Sequence, residues 1–270
     1  MDRARLKAQI VRVVGPRMVH AAKRALGRTH FDEVDLVYKA FASSQRAGTM
    51  VDVGAHHGGS LGCFVADGWN VLAFEPDDCN RSILKIAHGH RRNLKIDDRA
   101  VADKCETGKA FFASDVSSGI SGLSAFHDSH EKRQSVSVTT LADVLPACGI
   151  EQVDFLKIDT EGYDLYVLRG LNWGQVTPSI IVCEFEDRKT VPLGYRTDDL
   201  AVFLKGKGYQ LLISEWSPIV EYGQTHKWRR FAPDTAALGE NAWGNLIAYR
   251  QGTAVAGTLD QLIERYRGRS

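Results

Sequence analysis

The chain has 270 residues, of which 25% are charged and 44% hydrophobic, and its formal net charge is +1. That profile suits one large α/β domain with additions, carries no field that demands nucleic acid, and includes no apolar run near the roughly 20 residues of a membrane span. The basic N-terminus lacks a continuous apolar core, so no signal peptide is expected, and the five cysteines form no CxxC pair and read as small buried hydrophobes in a reducing, cytoplasmic setting.

Residues 1–28 carry Arg3, Arg5, Lys7, Arg12, Arg17, Lys23, Arg24 and Arg28 against a single acid, Asp2. Leu6, Ile10, Val13, Val14 and Met18 recur at helical spacing, and Gly15-Pro16 splits the stretch into two helices. The plain reading is a helical cap with solvated basic residues. The sharper one is peripheral contact with anionic lipid or an anionic glycan carrier. Residues 31–47 read as a third helix. The domain boundaries expected are 1–48 for this helical extension, 49–250 for the main domain, and 251–270 for a C-terminal tail and helix.

The main domain opens with a strand at Met50–Val53, a glycine turn at Gly54, Gly58 and Gly59, and a helix capped by Ser60. Gly68 ends that helix, and Val71–Phe74 is a second buried strand with Glu75 at its carboxyl end. A helix over 79–90 and a short strand at Leu94–Ile96 lead to Asp97-Asp98. A β excursion covers Lys109–Ala113. Residues 114–135, rich in Ser, Gly and His, read as a functional or mobile loop, with His127 and His130 solvated or, if the loop is a lid over the acceptor, one of them turned inward. Val136–Val138 is a strand, and Thr140 caps a short helix. Val153–Ile158 is a strand ending at Asp159-Thr160-Glu161-Gly162, and Ile180–Cys183 is another, ending at Glu184-Phe185-Glu186. Thr197 caps the next helix. Tyr209–Ser214 and Asn245–Tyr249 suggest a terminal antiparallel pair. Between them lie Trp216, Tyr222, Trp228 and Trp243; the three tryptophans are packing residues or rings that could stack on sugar faces. Thr258–Gln261 is a capping-box pattern that opens a final helix.

Strands that alternate with helices point to a doubly wound α/β sheet, whose strand carboxyl ends gather at one edge. Glu75, Asp159/Glu161 and Glu184/Glu186 would therefore share a crevice. The turn Asp52-Val-Gly54-Ala-His56-His57-Gly58 is neither G-x-G-x-x-G nor a P-loop, which disfavours a dinucleotide or a triphosphate. A carboxylate facing bare backbone suits a nucleoside with two ribose hydroxyls.

On these blocks the chain resembles a class I S-adenosylmethionine-dependent methyltransferase of the FkbM type. The resemblance rests on Val51–Ala55 with Gly58, on Ala73–Pro76, on Val138–Leu145, and on Val153–Gly162 continued by Val167–Gly170; Ile181–Phe185 also fits. It implies a doubly wound, mostly parallel seven-stranded sheet and S-adenosylmethionine as cofactor. It implies that Asp52, Gly54, His56, Gly58, Glu75 and Asp98 form the cofactor site, with Glu75 on the ribose hydroxyls and Asp98 near the adenine amino group. His56 departs from the asparagine usual in the family.

The implied reaction is O-methylation of a hydroxyl on a sugar, glycan or secondary metabolite. A base within reach would help such an acceptor lose its proton, and Asp159, Glu161 and His56 are the foremost candidates, with His57 and Glu184 behind them. A divalent metal on Asp159, Glu161 and Glu184 is chemically possible but not expected. The alternatives are a non-catalytic binding protein that keeps the fold and, on glycine spacing less favoured, a nicotinamide-dependent oxidoreductase.

Overall fold

A computed structural model describes residues 3–25, 31–43, 47–221 and 226–267. Asp2, Arg28, Tyr222 and the end of the helix expected over 31–47 lie outside the described residues. In chain order the elements are α1 (Arg3–Val14), α2 (Pro16–Ala25), α3 (Glu33–Ala42), β1 (Thr49–Val53), α4 (Gly62–Ala66), β2 (Asn70–Phe74), α5 (Asp78–His88), β3 (Leu94–Asp97), β4 (Ala100–Val101), β5 (Glu106–Ser114), β6 (His130–Thr139), α6 (Leu141–Ala147), β7 (Phe155–Ile158), α7 (Asp164–Arg169), β8 (Ile180–Glu186), α8 (Asp187–Thr190), α9 (Thr197–Gly206), β9 (Gln210–Trp216), β10 (Trp228–Ala232), β11 (Trp243–Tyr249) and α10 (Ala254–Arg267).

The main sheet runs β10-β9-β11-β8-β7-β1-β2-β3. The five strands from β8 to β3 are parallel. β11 enters antiparallel between β8 and β9. The expected doubly wound architecture is present, with one correction: the sheet has eight strands, because β10 adds antiparallel to the edge of β9. Its sequence Trp-Arg-Arg-Phe-Ala hid it. Both arginines turn to Glu215, a fully buried acid on β9, at 2.7 Å from Arg229 and 2.6 Å from Arg230. Charged residues on an edge strand also discourage pairing with another chain.

A second, three-stranded sheet joins β4, β6 and β5. It corrects the long loop expected over 114–135. β5 and β6 pair from Glu106↔Val138 to Ser114↔His130, so only the segment between Ser114 and His130 connects them. Glu131, Lys132 and Arg133 are consecutive and all exposed, so this end of β6 shows no apolar alternation in the sequence.

Strands β1, β2, β7 and β8 are buried on both faces, which is why they read as continuous apolar runs. One face packs α6, α7 and α9 against Val51, Leu156 and Ile181. The other packs α3, α4 and α10 against Met50, Phe155 and Val182. Each such side chain, fully buried, contributes about 1.5–3 kcal/mol.

One expected cap is present: Thr140 accepts from Asp143 N at 3.1 Å; Asp77, not among the expected caps, caps α5 by accepting from Asn80 N at 2.8 Å. Three others are corrected. Ser60 donates to Asp52 instead of capping α4. Thr197 lies within α9 and bonds Asp187. Thr258 sits one turn inside α10, whose start is tied by Thr253 accepting from Ala256 N. The cysteines are all free, but only Cys183 is buried; Cys79 and Cys105 are exposed.

Candidate active site

At the carboxyl edge of β1, β2 and β7 lies a cavity of about 140 Å³, and Gly54, His56, Glu75, Asp159, Thr160 and Glu161 line it. The segment Ser118–Leu123, between β5 and β6, closes it from above. Sequence-distant residues meet here because parallel strands bring their tips to one edge.

The turn after β1 is shaped by its approach to β7. Gly54 has φ +80°, and a Cβ there would sit 1.9 Å from the carbonyl oxygen of Asp159. Gly58, at φ +81°, packs so close to Leu84 and His88 that a Cβ would fall 2.6 Å from Leu84. His56 is left-handed too, at φ +48°. Asparagine and histidine are among the few side chains enriched in that region, a backbone reason for finding one where the other is usual. The His56 ring stacks on His57 at 3.7 Å, and its Nε2 lies 2.9 Å from Ser118 Oγ. Burial, with His57 beside it, pushes its pKa down to about 4, so the ring is neutral at neutral pH.

Glu75 is buried. Its Oε2 accepts from His56 N at 2.6 Å and its Oε1 from Asp77 N at 2.9 Å. Burial outweighs both bonds and raises its pKa to about 7. Asp52 is fully buried beneath the turn, accepts from Ser60 and faces Lys157; it does not line the cavity. Asp98 is exposed and also outside the lining, while its neighbour Asp97 is committed to Arg99 at 2.7 Å.

Lys157 was not singled out in the sequence, yet it holds the site together. From the middle of β7 its Nζ donates to Gly54 O at 2.8 Å and lies 3.3 Å from both Asp52 and Asp159. The available signal was a lysine inside a four-residue strand that is otherwise apolar. Asp159 opens into the cavity with its side chain 44% exposed. Desolvation raises its pKa, but Lys157 and then Lys189 outweigh it and hold the carboxyl below the usual range.

Glu161 is left-handed at φ +58° and buried. Lys189, itself buried, lies 2.7 Å from Glu161, 2.8 Å from Glu184 and 3.0 Å from Glu186. One ammonium cannot neutralise three carboxylates, so burial leaves Glu161 and Glu184 with raised pKa values. Oxygens of Asp159, Glu161 and Glu184 come within 4.8 Å of one another, the cluster that could suit a cation; Lys189 Nζ already stands against two of them. Nothing in the sequence around Arg188-Lys189 separated this lysine from a surface charge. Asp164 braces the loop from below: it accepts from Thr160 Oγ1 at 2.7 Å and from Glu184 N at 2.9 Å.

The covering segment is fastened at several points. Asn80 donates to Ser118 O at 3.0 Å, and His130 Nε2 reaches Ile120 O at 2.6 Å. His130 Nδ1 accepts from Phe126 N at 3.2 Å, so this histidine is a brace within the segment and not a solvated side chain. The tryptophans lie outside the cavity lining. Trp216 Nε1 donates to Glu33 at 2.7 Å, Trp228 to Ser214 at 3.0 Å and Trp243 to Ser217 O at 2.6 Å, and Phe31 stacks on Trp228 at 4.4 Å.

The model of the FkbM methyltransferase domain matches residues 52–211. No curated protein matches the chain. Similar solved structures include a precorrin-6Y C5,15-methyltransferase from Geobacter metallireducens, 11% identical, covering 83% of this chain and 94% of that one at a TM-score of 0.39. A TehB-like S-adenosylmethionine-dependent methyltransferase from Corynebacterium glutamicum is 12% identical, with coverage of 87% and 96% and a TM-score of 0.39. The magnesium protoporphyrin IX methyltransferase of Synechocystis, solved with bound S-adenosylmethionine, is 9% identical, with coverage of 93% and 98% and a TM-score of 0.44. These likenesses are distant, and the assignment rests on the sequence match. Because that match spans more than half of the chain, from the glycine turn past all three acidic strand tips, the chain belongs to the FkbM methyltransferase family, and its cofactor is S-adenosylmethionine.

Proposed function

We propose that the chain methylates a hydroxyl group of a sugar, glycan or other secondary metabolite. The observation that carries this reading is a single cavity lined at once by the bare turn at Gly54, by Glu75, and by the acids Asp159 and Glu161. The residues fit the cofactor. Glu75 is a carboxylate whose burial opposes ionisation despite its two backbone donors, and two ribose hydroxyls would add to those donors. Gly54 lets the turn close against the Asp159 carbonyl, which keeps its bare backbone on the cavity lining beside Asp159.

Bound there, S-adenosylmethionine supplies an activated methyl and its own leaving group. The protein's task is then to align an acceptor and take its proton. Glu161 suits the second role: it lines the cavity, and its raised pKa brings its basicity toward neutral pH. Asp159, held ionised by Lys157, suits the first, as an acceptor of the substrate hydroxyl's hydrogen bond. His56 remains a candidate base, but its ring nitrogen faces Ser118.

The test is transfer of labelled methyl from S-adenosylmethionine to a panel of sugars, glycans and hydroxylated metabolites. A product that survives mild alkali and carries its methyl on oxygen by mass spectrometry is an ether, as the reading expects; an alkali-labile ester, or an N-methyl or C-methyl product, would refute it. With an acceptor in hand, Glu161→Gln should lower kcat about 100-fold with cofactor affinity unchanged.

A further inference from the structure

Helix α1 has two apolar faces, and only one of them is used. Ala4, Ala8 and Val11, at i, i+4 and i+7, pack on Ile83, Ile86 and Ala87 of α5. Leu6, Ile10 and Val13 repeat the same spacing on the opposite side, at 43%, 46% and 83% exposure. The two edges between these faces are basic. Arg5 and Arg12, seven apart, share one edge, and Arg3 and Lys7, four apart, share the other; all four are exposed. The next helix presents Met18, 63% exposed, beyond the Gly15 turn. Residues 1–28 hold eight basic side chains and one acid in a chain whose overall charge is only +1, so the positive charge is concentrated on this arm.

We propose that this outward face of α1 is an interfacial helix that seats the protein on an anionic bilayer surface. An apolar stripe with basic residues along both edges is the pattern that buries its centre among acyl chains while the cationic ends reach lipid phosphates. The helix has 12 residues, and no helix among those described is long and apolar enough to cross a membrane, so α1 would lie in the plane of the surface. Charge favours lipid over a second copy of the chain. Two copies joined through this stripe would set Arg3, Arg5, Lys7 and Arg12 of each against the same four of the other, with no acid on α1 to offset them. The contact with α5 is kept, since docking uses the opposite side of the helix.

The experiment is flotation of the full chain with vesicles of phosphatidylcholine alone and of phosphatidylcholine mixed with phosphatidylglycerol. Binding to the mixed vesicles only, and its loss in high salt, is expected. Leu6→Glu/Ile10→Glu/Val13→Glu and, separately, Arg5→Glu/Arg12→Glu should each lower the vesicle-bound fraction about tenfold or more. Neither set should move the urea midpoint or cofactor affinity, because these side chains are exposed and off the cavity. Equal binding to both vesicle types, no binding to either, or full binding by both variants would overturn the proposal. So would a dimer in light scattering that Leu6→Glu/Ile10→Glu/Val13→Glu dissolves, since that outcome assigns the face to a second copy.

Discussion

Replacing Glu75 by Gln should stabilise the empty protein at high pH while weakening its hold on the cofactor. In the fold the Glu75 carboxyl titrates at about 7, against 4.5 when unburdened. Its folded pKa is raised, so ionisation opposes folding: the carboxyl has no such cost below the lower value, and stability falls as pH rises between the two. Integrated over about pH 5 to pH 8, that difference amounts to roughly 2–3 kcal/mol. Gln carries no such cost, although its amide can accept from only one of the His56 and Asp77 N–H groups, a fixed penalty of about 1–3 kcal/mol. Urea unfolding of both proteins at the two pH values isolates the titration, because the penalty cancels in the comparison. The wild type should lose about 2–3 kcal/mol relative to Glu75→Gln on going from the acid to the alkaline condition. Calorimetry with S-adenosylhomocysteine should show affinity down about a hundredfold in the variant, from the loss of charge-assisted bonds to the ribose. A stability difference that stays constant with pH would refute the reasoning, since Glu75 would then titrate normally.

The remaining predictions concern the rest of the site. Lys189→Met leaves Glu161, Glu184 and Glu186 buried without a cation, and should cost about 3–5 kcal/mol at neutral pH. Glu161 and Glu184 have raised pKa values and protonate early as pH falls, so the deficit should shrink in acid; a deficit that grows in acid, read by urea midpoints, would contradict the cluster's electrostatics. At His56 the left-handed backbone predicts that Asn preserves stability, whereas Val loses about 1–2 kcal/mol. Methyl transfer by His56→Asn at near wild-type kcat would remove the imidazole as base, and its collapse with the fold intact would assign the imidazole that role.

The fold was legible where burial is two-sided. β1, β2, β7 and β8 announce themselves as apolar runs, and their acidic tips followed from topology. What escaped were elements that depend on pairing across distance. β10 is a strand because Glu215 receives its arginines, and the lower part of β6 because β5 lies beside it. Ser60, Thr197 and Thr258 have the chemistry of caps, but tertiary partners or a longer helix claimed each one. The site was half readable. Glu75, Asp159 and Glu161 stand at strand ends, whereas Lys157 and Lys189 are defined by the charges around them, which no local pattern records. Asp98 shows the reverse: a residue placed by alignment to a pattern, which the fold turns outward.

The Lys157 ammonium has one consequence beyond holding its neighbours. It ties the carbonyl of Gly54 to the carboxylate of Asp159, and β1 and β7 are already in register there, Val53 against Ile158. The turn and the acid therefore form one rigid body, with their separation fixed by a strand pair. The cover between Ser114 and His130 is made of a different kind of structure, pinned at Ser118 by His56 and Asn80 and at Ile120 by His130. Adaptation to a new acceptor can then be confined to that cover. Its sequence is free to drift while the distance over which a methyl must travel stays set by the sheet.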